Sequence, residues 1–476
     1  MKPGDRALVE LRRDNSRREW TFGEVDRAAN RFAAHLTKLG VARGDVVMTL
    51  IGNRPEWVIA LVACFRLGAV ALPCNEQLRA GDLRARLAVA KPRVVVCDER
   101  NLSELVGAGW SGETVVAPDK DAFEPGPGGD TGPLASITEL RATDPALITF
   151  TSGTTGSAKG IVHGRRYVSG QALQAEHWLA PERGELVWCT AATGWSKSAR
   201  NVFIAPWLRG AAALLHDARF DHNQRLEVLE REAVNVLCMA PTEYRVIAKR
   251  ATLRRYPALR GLVAAGEALN PEVLRAWKEA TGLEIRDGYG QTETGQLTGM
   301  PLDEGARPGS MGKPLPGIDL MLEGGELVLR TPLSDPTFFV AYLGGEPAPV
   351  DQPWRTGDRV REDEDGYLYF EGRGDDVIIS SGYRIGPFEV ESALVSHRAV
   401  AEAAAVAAPD EERGSVVRAV VVLREGVAPS DALARELQEW VKGQTAPYKY
   451  PRIVEFADEL PKTATGKVRR ALLRDG

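Results

Sequence analysis

Short apolar runs alternate with segments of helical periodicity in the first part of this chain, and that alternation restricts the fold more than any other feature. Trp20 to Gly40 places Val25, Ala28, Ala29, Phe32 and Leu36 at helical spacing, and Gly40 ends the run. Thr21, with Glu24 three residues on, has the form of a capping box. Val46 to Ile51 (VVMTLI) and Arg93 to Cys97 (RVVVC) are short and apolar, like strands buried on both faces. Pro55 to Leu67 between them reads as a second helix. This order predicts α/β architecture with a largely parallel sheet. Glu124 to Gly132 (EPGPGGDTG) is a turn-rich loop inside that unit and not a boundary, because the pattern resumes beyond it. After Gly317 the period changes. GELVLR and GYLYFEG, set between Gly, Asp and Pro, predict an antiparallel β region. From about Asp375 a smaller unit is expected, with a helix near Pro387 to Ser396, a strand at Ala419 to Leu423 and a helix at Ser430 to Lys442. No internal repeat is evident. With 476 residues, 44% of them hydrophobic, the chain exceeds one typical domain. The fold class expected is α/β: a large N-terminal α/β domain with parallel-type sheets plus a β region, then a small mobile C-terminal α+β domain.

Several function classes fall away. The net charge is -5 and both signs are mixed along the chain, so no basic excess marks a nucleic-acid binder. Cys64, Cys74, Cys97, Cys189 and Cys238 are scattered and lack CxxC spacing, the pattern of inert thiols in a reducing compartment. The six histidines form no HExxH or comparable metal pattern. The start, MKPGDRALVELRRDN, carries charges where a signal peptide needs an apolar core. Val58 to Pro73 is broken by Arg66 and Gly68, too soon for a membrane span. A soluble cytoplasmic enzyme with no membrane span is the expectation.

The strongest local signal is TSGTTGSAKG, Thr151 to Gly160, directly after the strand-like ALITF. Glycines let backbone approach a ligand closely. Thr151, Ser152, Thr154 and Thr155 supply hydroxyls around Gly153 and Gly156, and Lys159 supplies positive charge. A flexible linker would need neither the lysine nor the buried strand before it. The mixture suits polyphosphate, and it is not a Walker A loop, since no GK[ST] follows the glycines.

This segment resembles the phosphate loop of the adenylate-forming superfamily of acyl-CoA synthetases, adenylation domains and firefly-type luciferases. The resemblance continues in chain order through Gly266-Glu267-Ala268, Asp287-Gly288-Tyr289-Gly290-Gln291-Thr292-Glu293, Thr356-Gly357-Asp358-Arg359, Gly372-Arg373 and Pro461 to Lys467. RPGSMGKPLPG (Arg307 to Gly317), SSGYRIGPFEVESAL (Ser380 to Leu394), TAPYKYPRIVEF (Thr445 to Phe456) and GWSKSARNVFIAPWLRGA (Gly194 to Ala211) are similar to the medium-chain acyl-CoA synthetase branch. It covers the chain from about Trp20 onward. The N-terminus is shorter than is usual in that branch, so an N-terminal helix or a family oligomer contact is expected to be missing. Ala268 stands where the pattern usually has proline, a change expected to matter little for adenine. Gly160 stands where a larger residue is common, a change expected to loosen the phosphate loop.

The resemblance implies a carboxylate–CoA ligase that uses ATP, Mg2+ and coenzyme A. A carboxylate is a poor electrophile, and transfer to the α-phosphate of ATP makes it a mixed anhydride whose formation needs metal and cationic stabilisation. Glu293, beside Thr292, corresponds to the family's magnesium-binding glutamate. Tyr289 offers a π-face for adenine, with Gly266, Glu267, Ala268, Asp287, Gly288 and Gln291 around the nucleotide. Asp358 and Arg373 correspond to the ribose contacts. Lys467 and Arg384 correspond to contacts with the reacting carboxylate and α-phosphate, and Ser381, Gly382 and Tyr383 to the coenzyme A entry. Residues 1–374 and 376–476 would be the two domains and Asp375 the hinge. Thr193, Gly194 and Trp195 fall in the acyl-pocket region.

Cys189 to Pro206 holds no Asp or Glu, so an ammonium-bearing acid has no partner there. The acid expected is therefore an apolar monocarboxylate, short or medium chain, branched or aryl. Lys197 and Arg200 cut against this: if they point inward, a dicarboxylate or hydroxylated acid enters the range. The alternatives are an acyl-AMP ligase that loads a carrier protein, and an inactive ligand-binding paralogue. Lys159, Glu293, Asp358, Arg384 and Lys467 together argue against the second. A homodimer is compatible with the resemblance.

Overall fold

The computed structural model describes residues 1–118, 120–124, 140–151, 159–266, 269, 271–374, 376–380, 383–410, 413–462 and 468–474. Thr21 caps the helix Phe22–Lys38: its hydroxyl accepts from the Glu24 N–H, and the Glu24 carboxylate accepts from the Thr21 N–H at 2.7 Å. Val25, Ala28, Ala29, Phe32 and Leu36 are all buried. The helix stops at Lys38, short of Gly40, which turns the chain at φ 79°. Pro55–Leu67 is helical over the expected bounds. It is apolar on nearly every side because it lies between sheets and most of it is buried.

Two seven-stranded sheets organise the large unit. In the first, Ile285–Gly288, Gly261–Ala265, Val236–Met239, Leu186–Cys189, Ala212–His216 and Arg6–Leu11 run parallel, and Arg17–Thr21 closes the edge antiparallel. In the second, Pro145–Phe150, Val70–Pro73, Val46–Leu50, Val94–Asp98 and Glu113–Ala117 are parallel, with Gly160–Gly164 and Ala341–Tyr342 antiparallel at the other edge. One core joins their facing sides: Leu8 and Leu215 from the first sheet, Val47 and Val94 from the second, Phe32 and Trp57 from the helices between. Each such fully buried side chain is worth about 1.5–3 kcal/mol. Helices including His222–Arg231 and Pro271–Thr281 cover the outer face of the first sheet, and Ala80–Ala90 that of the second.

The expected antiparallel region is a four-stranded sheet of Leu320–Glu323, Glu326–Leu329, Trp354–Glu362 and Leu368–Arg373. The C-terminal unit has its own core around Ile385, Val390, Leu437 and Val441. Its helices run Pro387–Val395 and Asp431–Gln444, the second capped by the Ser430 hydroxyl. Its central strand is longer than expected, Gly414–Leu423, because it pairs along its length with Val400–Asp410. That partner is absent from the sequence expectations: it is alanine-rich, and alanine carries little strand preference. All five cysteines are free and buried. Among the described residues, no helix is long and apolar enough to cross a membrane.

Candidate active site

The strand Pro145–Phe150 delivers the chain to Thr151, whose N–H donates to the Lys159 carbonyl at 2.9 Å. The residues flanking the glycine-rich segment thus belong to two adjacent antiparallel strands; Ser152, Gly153, Thr154, Thr155 and Gly156 lie outside the described residues. Lys159 is exposed, with its ammonium 5.6 Å from the centre of the Tyr342 ring. Gly160 has a packing reason. A Cβ there would lie 2.9 Å from Leu343 Cβ, so the glycine lets that chain approach, where Leu343 N–H donates to Gly160 O at 2.8 Å. The expected effect on the loop concerns residues 152–158, which lie outside the described residues.

The antiparallel sheet brings a second group to the same region. Asp358, on Trp354–Glu362, accepts from the Tyr289 hydroxyl and from Gln291 Nε2 at 2.8 Å on Oδ2, and from Arg373 Nη1 at 3.3 Å on Oδ1. Register pairs Asp358 with Arg373 directly, which is why two distant motifs meet. Gln291 is held by the Thr356 carbonyl at 2.8 Å and by Trp354 Nε1 at 3.3 Å. Burial pushes the Asp358 carboxyl up, against the pull of Tyr289 and Arg373. A cavity of about 290 Å³ opens beside it, lined by Glu326, Gly357, Arg359, Arg373 and Gly374.

Glu293 links these groups. Its carboxyl is raised by burial and pulled down by the charges of Arg373 and Lys159. Its backbone carbonyl accepts from Phe339 N at 2.8 Å, and Tyr342 approaches its carboxylate. Lys159, Arg373 and Asp358, distant in sequence, therefore all lie close enough to act on the Glu293 carboxyl. Phe338, Phe339, Tyr342 and Trp354 form an edge-to-face cluster beside it. Sequence reasoning missed that cluster, because FFVAYL carries no signal separating it from ordinary core. Among the described residues no group of three or more His, Cys, Asp or Glu gathers to hold a metal. One carboxylate is what Mg2+ needs when substrate phosphates and waters supply its other oxygens, so Glu293 fits that ion.

The remaining expected residues divide. Asp287 is buried and accepts from Gly288 N at 2.8 Å; burial pushes its carboxyl up to about 8. Lys197 Nζ donates to Ala265 O at 2.7 Å and lies beside Gly266. Glu267 and Ala268 lie outside the described residues. The Thr193 hydroxyl donates to Ile51 O at 2.7 Å and so fastens this loop to the second sheet. Gly194 takes φ +84° and Trp195, half-buried, precedes the short helix Ser196–Ala199. Tyr383 is exposed and stacks on Tyr448 at 4.3 Å. Arg384 lies in the strand Tyr383–Ile385 opposite Ile379. Thr292 presents its backbone to the buried His163 ring. Ser381, Gly382, Asp375 and Lys467 lie outside the described residues.

Residues 1–332 match the family model for "AMP-binding enzyme", and residues 389–467 that for "AMP-binding enzyme C-terminal domain". The uncharacterized acyl-CoA ligase YtcI of Bacillus subtilis is 39% identical, across 96% of this chain and 90% of its own. Acyl-coenzyme A synthetase ACSM4, mitochondrial, of Rattus norvegicus is 39% identical, across 100% of this chain and 87% of its own. The chain belongs to the AMP-binding enzyme family, among its acyl-CoA synthetases. Its fold is that of the family's solved members. The anthranilate CoA ligase AuaEII, solved in complex with anthranoyl-AMP, superposes with a TM-score of 0.87 at 30% identity, covering 99% of this chain and 94% of that one. In this chain Lys159 and Arg373 thus bring positive charge to the two buried carboxylates Glu293 and Asp358.

Proposed function

We propose that this enzyme activates an apolar monocarboxylic acid, short or medium chain, branched or aryl, and transfers it to coenzyme A. The acid's oxygen attacks the α-phosphorus of ATP, and the bond to pyrophosphate breaks. The thiol of coenzyme A then attacks the acyl carbon and AMP leaves. The observation that carries this reading is the convergence of Lys159, Asp358 and Arg373 on the Glu293 carboxyl. Lys159, with the loop from Thr151, would hold the phosphates. Glu293 would hold Mg2+, which would neutralise charge developing on them. A carboxylate offers about four acceptor positions. The donors from Tyr289, Gln291 and Arg373 fix Asp358 and leave capacity for a ribose hydroxyl. Adenine would lie by Tyr289 and Gly266 to Ala268, with Asp287 and Gly288 behind. Lys467 and Arg384 would steady the α-phosphate, and Ser381, Gly382 and Tyr383 would line the coenzyme A entry. The anthranoyl-AMP held by one structural relative and the medium-chain character of the sequence support the choice of acid.

The test is pyrophosphate release with acetate, butyrate, hexanoate, octanoate, benzoate, a dicarboxylate and several amino acids, then transfer to free coenzyme A or to carrier proteins. An apolar monocarboxylate should have the highest kcat/KM, with coenzyme A as acceptor. Lys467→Ala should lose acyl-AMP formation by about 100-fold and still convert supplied acyl-AMP to the thioester. A preferred amino acid, a carrier protein as better acceptor, or equal damage to both half-reactions would each overturn the corresponding part.

A further inference from the structure

Arg200 is a buried charge that this reading leaves unused. It opens the turn Arg200–Ile204 and is 4% exposed. Its Nε and Nη1 are buried and make no hydrogen bond. Among the described residues no carboxylate pairs with it, and none exists in sequence from Cys189 to Pro206. An unpaired buried donor costs about 1–3 kcal/mol, more when charged, so a buried guanidinium without acceptors marks a place where an acceptor arrives.

Its surroundings say where. The guanidinium acts electrostatically on His163, on Tyr167 and on Cys238 at the end of Val236–Met239. His163 is fully buried, packs against Tyr167 with ring centres 4.1 Å apart and planes tilted by 35°, and faces the backbone of Thr292 and Thr337. Asn201, the neighbour of Arg200, reaches Cys238 Sγ at 3.9 Å, near the carboxyl end of the parallel strand Val236–Met239, the end at which ligands bind in such sheets. Lys197, one turn earlier, reaches Ala265 on the nucleotide side. The nearby amides leave Arg200 aside: Gln174 Nε2 donates to Asn201 Oδ1 at 3.0 Å, and Asn201 turns its own NH2 to Cys238.

We infer that Arg200 is a specificity residue that binds an oxygen acceptor on the acid, remote from the reacting carboxylate. The inference rests on the proposed ligase function and refines its substrate: an apolar acid whose tail carries an oxo or hydroxyl oxygen. A second carboxylate shares that chemistry and would be the charged source.

The experiment compares matched acids on the whole enzyme: hexanoate, 5-oxohexanoate and adipate; benzoate and 4-hydroxybenzoate. Pyrophosphate release gives kcat/KM, and calorimetric titration of the same acids gives affinity without turnover. The oxygenated acid of a matched pair should be favoured about tenfold or more. The ratio should fall to about one in Arg200→Met and be partly restored in Arg200→Lys. Wild-type enzyme alone decides the case if the variants do not fold. Equal binding of 5-oxohexanoate and hexanoate, and of the benzoate pair, overturns the inference, as does a preference that survives Arg200→Met. A preference for adipate that Arg200→Met abolishes supports the Arg200 site and overturns the monocarboxylate proposal. Selective binding without pyrophosphate release overturns the ligase proposal alone.

Discussion

Asp287, Glu293 and Asp358 are carboxylates held out of water in one region, and burial is the main force raising each. They differ in compensation. Asp358 has three hydrogen-bond donors, whereas Asp287 has backbone N–H groups and the distant charge of Lys197. Its carboxyl is pushed from an ordinary 3.8 up to about 8. In that window the folded state holds a proton that the unfolded state releases, so stability falls as pH rises from about 4 to about 8. Asp287→Asn keeps an acceptor for Gly288 N and removes the ionisation. The melting temperature of the variant should therefore exceed that of the wild type at pH 8 by clearly more than at pH 5. An equal difference at both pH values would show that Asp287 is ionised throughout.

Between Thr193 and Ile204 an element is built by one backbone constraint. Gly194 sits at φ +84°, where a side chain would be strained, and a Cβ would lie 2.5 Å from Asn75 N. That turn aims Trp195 and starts the helix Ser196–Ala199, which runs into the turn carrying Arg200. Left-handed geometry alone costs a non-glycine residue about 1–2 kcal/mol, and the backbone contact adds to it. Gly194→Ala should lower the melting temperature and raise KM for the acid more than KM for ATP, because the end proposed to hold the phosphates is carried by other strands. Equal KM changes for both substrates would mean that the loop serves the whole cleft.

At the scale of the molecule, the chain changes allegiance around residue 375. Gly374 N donates to Gly357 O at 2.7 Å, on the antiparallel sheet, whereas the Asp376 carboxylate is taken by Arg474 and Arg470 of the C-terminal unit. We propose Asp375 as the pivot on which 376–476 turns relative to 1–374 between the half-reactions. Proline fixes φ and removes a donor, so Asp375→Pro should spare acyl-AMP formation and cripple thioester formation, read as separate half-reactions. Unchanged overall turnover would place the pivot elsewhere.

Local pattern was enough wherever period and caps agreed: the helix from Thr21, the helix Pro55–Leu67 and the buried strands of the second sheet were legible because spacing alone dictates which face is apolar. The order of the glycine-rich, Tyr-Gly-Gln-Thr-Glu and Thr-Gly-Asp motifs likewise indicated nucleotide chemistry. Spacing could not say which alanine-rich run would pair as a strand, since Val400–Asp410 gains its form from Gly414–Leu423. Nor could it separate residues that merely fasten the site from those that face it. In the packed structure Thr193 ties its loop to Ile51, Gly160 lets Leu343 approach, and Tyr342 and Trp354 join one aromatic cluster with Phe339. Arg200 was legible as an awkward charge, but whether it had a partner was not. Hydrogen bonding and burial depend on groups brought together from distant parts of the chain, and only the packed sheets decide which donors find acceptors.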